Sequence, residues 1–307
     1  MISFGGERLV RILKRLLNLK WAHAILIAGL LAFCSTLASA SPGQNALDFL
    51  NLPIGAYSAS LGKGNFAGII GPEAIFLNPG QLGDRTGAFA SHQELLLDTR
   101  AETFAAAVGL KHGLTMGGAA YFLNMGKIEG YSADNIKMGD IDSGDRLLRL
   151  ALSSHLGKFR MGLSVSQYYQ RLAEQTGNGW GFGGGVSYEH RLGRLAFSID
   201  NIGPRFKLAE ALAPLPGKMA FSAWIPIHNN MVSLNLDLTL NRNEKTGLAA
   251  GVEYHVTNGL ALRAGGNRLD PISLGFRLAA ERLAFDYSYI PRSEFGDRHI
   301  FSISFLK

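Results

Sequence analysis

The chain has 307 residues, a single cysteine, 38 glycines and a formal net charge of +6. One cysteine excludes an internal disulfide framework and a thiolate metal cluster. Most of the net positive charge, +4 of +6, sits in the first forty residues, and roughly +2 remains beyond them, so the basic balance is no argument for nucleic-acid binding.

The chain opens with Arg8, Arg11, Lys14, Arg15 and Lys20, followed by an apolar run from Ala24 to Phe33 and then Ala38-Ser39-Ala40. A basic region, a short apolar core and small residues at an A-x-A site predict a secretory signal peptide over 1–40, cleaved after about Ala40. The apolar run is shorter than the ~20 residues of a spanning helix, so a permanent anchor is the weaker alternative. Cys34 offers a third, a lipidation site, but Phe33 stands where a small residue is wanted. Cleavage removes the only cysteine.

Residues 41–86 are short apolar pieces punctuated by Gly and Pro: Asp48 to Ala56, Ser58 to Gly62 and Glu73 to Leu82. They do not alternate like a lipid-facing strand pair, and they are too apolar for a solvated periplasmic tail. They are expected to fold into a lumen as a plug.

From residue 87 onward the pattern is all-β. Val232 to Leu240 reads V-S-L-N-L-D-L-T-L, strict period two, and Leu195–Asp200, Ile272–Leu278 and Leu283–Tyr289 alternate similarly. Fourteen candidate strands lie at about 87–93, 102–110, 114–124, 146–156, 158–170, 180–190, 194–201, 217–226, 231–240, 247–256, 259–266, 271–279, 283–290 and 298–306. Short turns follow the even strands. Longer loops follow the odd ones, the longest at about 125–145 and 202–216. An even strand count with short turns on one rim and long loops on the other predicts a transmembrane antiparallel β-barrel of about 14 strands over 87–307. A closed barrel also leaves no edge unpaired in lipid.

Facing follows from the turns, because opposed residues in a hairpin share a side. A three-residue loop at Thr257-Asn258-Gly259, with Gly259 at positive φ, sets Glu253 opposite Arg263. A two-residue turn at Glu281-Arg282 sets Arg277 opposite Asp286. With Arg149 and Asp237, these form the expected lumen-facing charges, which neutralise the interior and fix register, or alternatively guide a solute. A lumen pair in contact with water adds only ~0–1 kcal/mol, so Glu253→Gln is expected to perturb folding mildly.

The chemistry of an enzyme is not visible. Gly181, Gly183 and Gly185 lie in a strand rather than at a strand-to-helix turn, so they are no dinucleotide fingerprint. His92, His112, His155, His190 and His255 show no metal-ligand spacing. There is no nucleophile elbow and no H-E-x-x-H. No catalytic residue, metal or cofactor is expected.

The 49–82 segment resembles the N-terminal signature of the PorV/PorQ family, within the wider group of long-chain fatty-acid transporter (FadL)-like barrels. Phe49 through Gly62 follows that family's F-L-x-x-P-x-x-A-R-x-x-A-L-G stretch, with Tyr57 where Arg is common. Glu73 through Leu82 follows its run ending in N-P-A, with Gly80 for Ala. Gly126–Tyr131, Leu156–Gly162, Asp200–Pro204 and Leu215-Pro216 extend the similarity over most of the chain. The resemblance implies a fourteen-stranded barrel with a plug, whose turn is Asn78, Pro79 and Gly80. In the fatty-acid transporters that turn lies near the ligand path; the alternative is a turn that only shapes the plug. It further implies a non-catalytic outer-membrane protein of the type IX secretion system that binds cargo or a surface partner. The alternative is a passive transporter of hydrophobic solutes such as fatty acids. Outer-membrane lipid is the expected surrounding, and no nucleic acid is expected.

Overall fold

A computed structural model describes residues 45–307 except 85, 127, 132, 133, 135, 136 and 293–295. The expected signal peptide lies outside the described residues. The barrel strands are β1 (Gly87–Glu94), β2 (Arg100–Gly109), β3 (Leu114–Asn124), β4 (Ser143–Leu156), β5 (Phe159–Leu172), β6 (Gln175–His190) and β7 (Gly193–Ile202). They continue as β8 (Lys218–Ile227), β9 (Val232–Asn241), β10 (Gly247–Thr257), β11 (Leu260–Asn267), β12 (Ser273–Ala280), β13 (Leu283–Ile290) and β14 (Arg298–Leu306). Each pairs antiparallel with its chain neighbours, and β1 pairs with β14 from Gly87↔Leu306 to Glu94↔His299. The fourteen-stranded barrel is therefore closed, and every ladder hydrogen bond is made within the wall.

Alternation along the strands divides the wall into two faces. On β4, Asp145, Leu147, Arg149, Ala151 and Ser153 are buried inside, while Leu148, Leu150 and Leu152 are exposed outside. On β14 the inward Ile300 and Ser302 alternate with the outward Phe301, Ile303 and Phe305. An apolar exposed band around a whole molecule would be a liability in water, and it is the surface that lipid requires. The outward rings of Phe276, Tyr287 and Phe301 pack in a row across β12–β14, with centroids 5.4 and 5.2 Å apart. Tyr168, in contrast, is fully buried inside, donating to Asn201 Oδ1 at 2.9 Å.

The short turns lie on one rim, as the pattern predicts. The other rim differs from expectation in three places. β4, β5 and β6 run 14, 14 and 16 residues, and the loop expected at about 171–179 is only the turn at Ala173–Glu174. This stretch is rich in Gly, Asn, Thr and Gln, so it lacks apolar alternation where the strands rise past the membrane. The 125–142 connection contains a hairpin (Ile128–Tyr131 with Lys137–Ile141), and the 203–217 connection contains another (Phe206–Leu208 with Ala211–Ala213) that joins β6. At the β10–β11 turn Thr257 pairs with Leu260, leaving a two-residue turn and a bulge between His255 and Thr257. Gly259 is not at positive φ there; a Cβ would sit 2.8 Å from the Ala279 carbonyl, which is what keeps the position bare.

Candidate functional site

Residues 45–84 lie inside the barrel, folded as short turns rather than strands. Pro72 starts the 3₁₀ turn Pro72–Phe76, and Pro79 starts Pro79–Gln81, where Asn78 Oδ1 accepts the Gly80 N–H at 3.0 Å. Pro suits these first positions because its missing donor would be unpaired there anyway. The short helix Ala56–Ser60 packs on β12–β14. Its Ala56 N–H donates to Ser302 Oγ at 2.8 Å. The wall thus supplies partners that so short a helix lacks.

Four of the six expected lumen charges form one chain across β10–β13. Glu253 is opposite Arg263, and Arg277 is opposite Asp286. Arg263 Nε donates to Glu253 Oε2 at 2.5 Å and Nη1 to Asp286 Oδ1 at 2.6 Å. Arg277 makes a two-pronged contact with Asp286, both bonds 2.9 Å. The Tyr57 ring covers the chain, with its centroid 4.0 Å from the Arg263 guanidinium carbon and 4.9 Å from that of Arg277. The Arg263 side chain is 0% exposed and that of Asp286 3%. The expectation of a water-bathed pair is therefore corrected: the inner segment dries Glu253, Arg263 and Asp286, while Arg277 keeps 32% of its side chain exposed.

Arg149 and Asp237 do different work. Arg149 donates from Nη1 and Nη2 to Asp200, both at 2.9 Å, from Nε to Ser166 Oγ at 2.7 Å and from Nη1 to the Ile75 carbonyl at 3.2 Å. Asp237 accepts the N–H groups of Asn65 (2.7 Å) and Phe66 (3.2 Å). Lys63 and Asn65 have positive φ. Such strain persists where the surroundings fix it, and the Asp237 carboxylate does so by holding consecutive backbone donors. Glu73, also within the inner segment, is buried with its Oε1 unpartnered.

The glycines of β6 have a packing role. The inward positions Gly177 and Gly179 face the Phe206 ring, Gly181 faces Tyr168, Gly183 faces Asp200 and Gly185 faces Asn78. The Asn78-Pro79-Gly80 turn rests on this bare wall. A Cβ at Gly162 would lie 2.5 Å from the Pro79 carbonyl carbon, and one at Gly80 would lie 2.9 Å from the Gly185 carbonyl oxygen. The turn is fully buried and lines neither of the cavities described next.

Among the described residues, two of the cavities lie on the long-loop side. An inner one of about 510 Å³ lies between the inner segment and β7–β11, with Phe49, Leu52, Ile54, Phe66, Phe76 and Leu147 among its lining. Lys218, on its wall, makes no ion pair among the described residues. An outer groove of about 580 Å³ lies under the Phe206–Ala213 hairpin. Phe49 and Leu52 line both, so the 3₁₀ turn Asp48–Asn51 with the following Leu52 forms the partition. Sequence reasoning missed Tyr57, Glu73, Asp145, Asp200 and Lys218. Only Asp200 had a signal, its place on the polar face of L-A-F-S-I-D. No group of three or more His, Cys, Asp or Glu side chains suited to a metal occurs among the described residues.

A closed fourteen-stranded wall with an apolar exterior, an internal segment and cavities beside it defines a transmembrane barrel with a partly filled lumen. Solved structures of the same fold include the TodX deltaS2S3 mutant monoaromatic hydrocarbon channel, 14% identical with a TM-score of 0.59, covering 82% of this chain and 98% of that one. The toluene transporter TbuX of Ralstonia pickettii is 13% identical at a TM-score of 0.56, with coverages of 82% and 98%. A FadL homologue from Pseudomonas aeruginosa is 12% identical at 0.50, with coverages of 87% and 98%. At these identities the likeness establishes the fold. No protein-family model and no curated protein matches the sequence. The narrower resemblance to PorV/PorQ, and the secretion role it implied, therefore gain no support, whereas the barrel fold shared with these structures stands.

Proposed function

We propose that the chain is a passive, non-catalytic outer-membrane channel for small hydrophobic solutes. The observation that carries this is the cavity inside the barrel, which has Phe49, Leu52, Ile54, Phe66, Phe76 and Leu147 in its wall and shares Phe49 and Leu52 with the outer groove. A barrel serving only as a scaffold has no reason to keep two such spaces. Cavities of this size suit molecules of a few hundred daltons bound mainly by apolar contact. The named channels of similar fold carry monoaromatic hydrocarbons, which supports the same solute class over secreted cargo. The N-terminal signal expected over 1–40 supports export.

The test is entry of radiolabelled toluene into cells with an intact outer membrane, with and without the chain, against a hydrophilic sugar as control. Toluene entry is expected to rise several-fold while sugar entry stays unchanged. Equal toluene entry in both cells would sink the proposal.

A further inference from the structure

The two cavities differ in charge. The inner one is lined by five basic and three acidic residues. The outer groove has no Lys, Arg or His in its lining; its charged groups are Asp48 and Asp145, accompanied by the amides of Asn45 and Gln170. Asp145 is only 2% exposed; the Gln170 side chain hydrogen-bonds its carboxylate, but its Oδ1 has no partner. Its cross-strand neighbours, Leu123 on β3 and Gln170 on β5, are uncharged, and it makes no ion pair among the described residues. Apart from Thr99 the rest of the groove is apolar, with Phe49, Met125, Phe206 and Leu208 prominent.

A carboxylate buried without a cation is costly, and an incoming cation offsets that cost. The charge-assisted hydrogen bond so formed is about twice as strong as a neutral one. An incoming carboxylate would instead meet two like charges. We propose that the outer groove recognises cationic amphiphiles, an aryl or alkyl body bearing a protonated amine, and disfavours carboxylates. The body packs on Phe49, Phe206 and Leu208 while the ammonium donates to Asp145, with Asp48 at the rim adding attraction. For its physiological use this inference rests on the channel function proposed above; the binding itself does not.

The test uses the full chain in nanodiscs of zwitterionic lipid at pH 7, titrated calorimetrically with 4-phenylbutylamine, 4-phenylbutanol and 4-phenylbutyrate, which share one apolar body. The amine is expected to bind roughly tenfold or more tightly than the carboxylate. Asp145→Asn, which keeps the side-chain size, should lower amine affinity about tenfold and leave the alcohol within about twofold. The wild-type comparison needs no variant, so the outcome does not depend on the variant folding. Equal amine and carboxylate affinities, or full amine affinity in a folded Asp145→Asn protein, overturn the inference. If the alcohol binds and the amine has no advantage, only this inference falls. If none of the three binds, the channel function falls with it.

Discussion

Deleting residues 45–84 is expected to convert a nearly closed barrel into an open pore, with single-channel conductance in planar bilayers rising by about tenfold or more. The inner segment occupies the lumen with apolar side chains such as Leu61, Ile75 and Leu82, which are essentially unexposed. Its removal would leave a space lined by Ser91, Arg149, Ser166, Asp237, Arg263 and Asp286, all on inward wall positions. A polar lumen of that kind fills with water, so the charges would be re-solvated and the wall would retain its ladder. Equal conductance with and without the segment would mean that residues 45–84 do not obstruct the lumen.

The second large effect is on stability. Asp286→Ala is expected to cost about 3–5 kcal/mol, read from urea unfolding of the heat-modifiable folded band in detergent. Asp286 is the shared acceptor of Arg263 and Arg277. Removing it leaves Arg263, whose side chain is 0% exposed, with Glu253 alone, and leaves Arg277 without its two-pronged partner. A loss below about 1 kcal/mol, the range of solvated surface pairs, would show that water reaches these groups.

The wall was far more legible in the sequence than its contents. V-S-L-N-L-D-L-T-L at 232–240 and L-A-F-D-Y-S-Y at 283–289 specify facing residue by residue, because a strand slipped by one would turn every apolar side chain inward. The same logic placed Glu253 opposite Arg263 through a turn that proved shorter than expected. The bulge between His255 and Thr257 absorbs the difference, so the pairing is unchanged. The inner segment has no such period. Its order comes from contacts such as Asn65 and Phe66 with Asp237, and Ala56 with Ser302, whose partners lie 171 or more residues away in the chain. That distance hid the burial of the charge chain under Tyr57 and the isolation of Asp145. The glycines of β6 were legible as strand residues, but not as the seats of Phe206, Tyr168 and Asn78.

The most direct test of a solute route past the inner segment is to tie that segment to the wall. Ala56 and Ser302 are in contact, and Cys34 is the sole native cysteine. Ala56→Cys with Ser302→Cys, in a chain carrying Cys34→Ser, therefore gives an unambiguous pair. Toluene entry should fall toward the level of cells lacking the chain when the pair is oxidised, and return on reduction. Unchanged entry with the tether fully formed would contradict passage through the lumen.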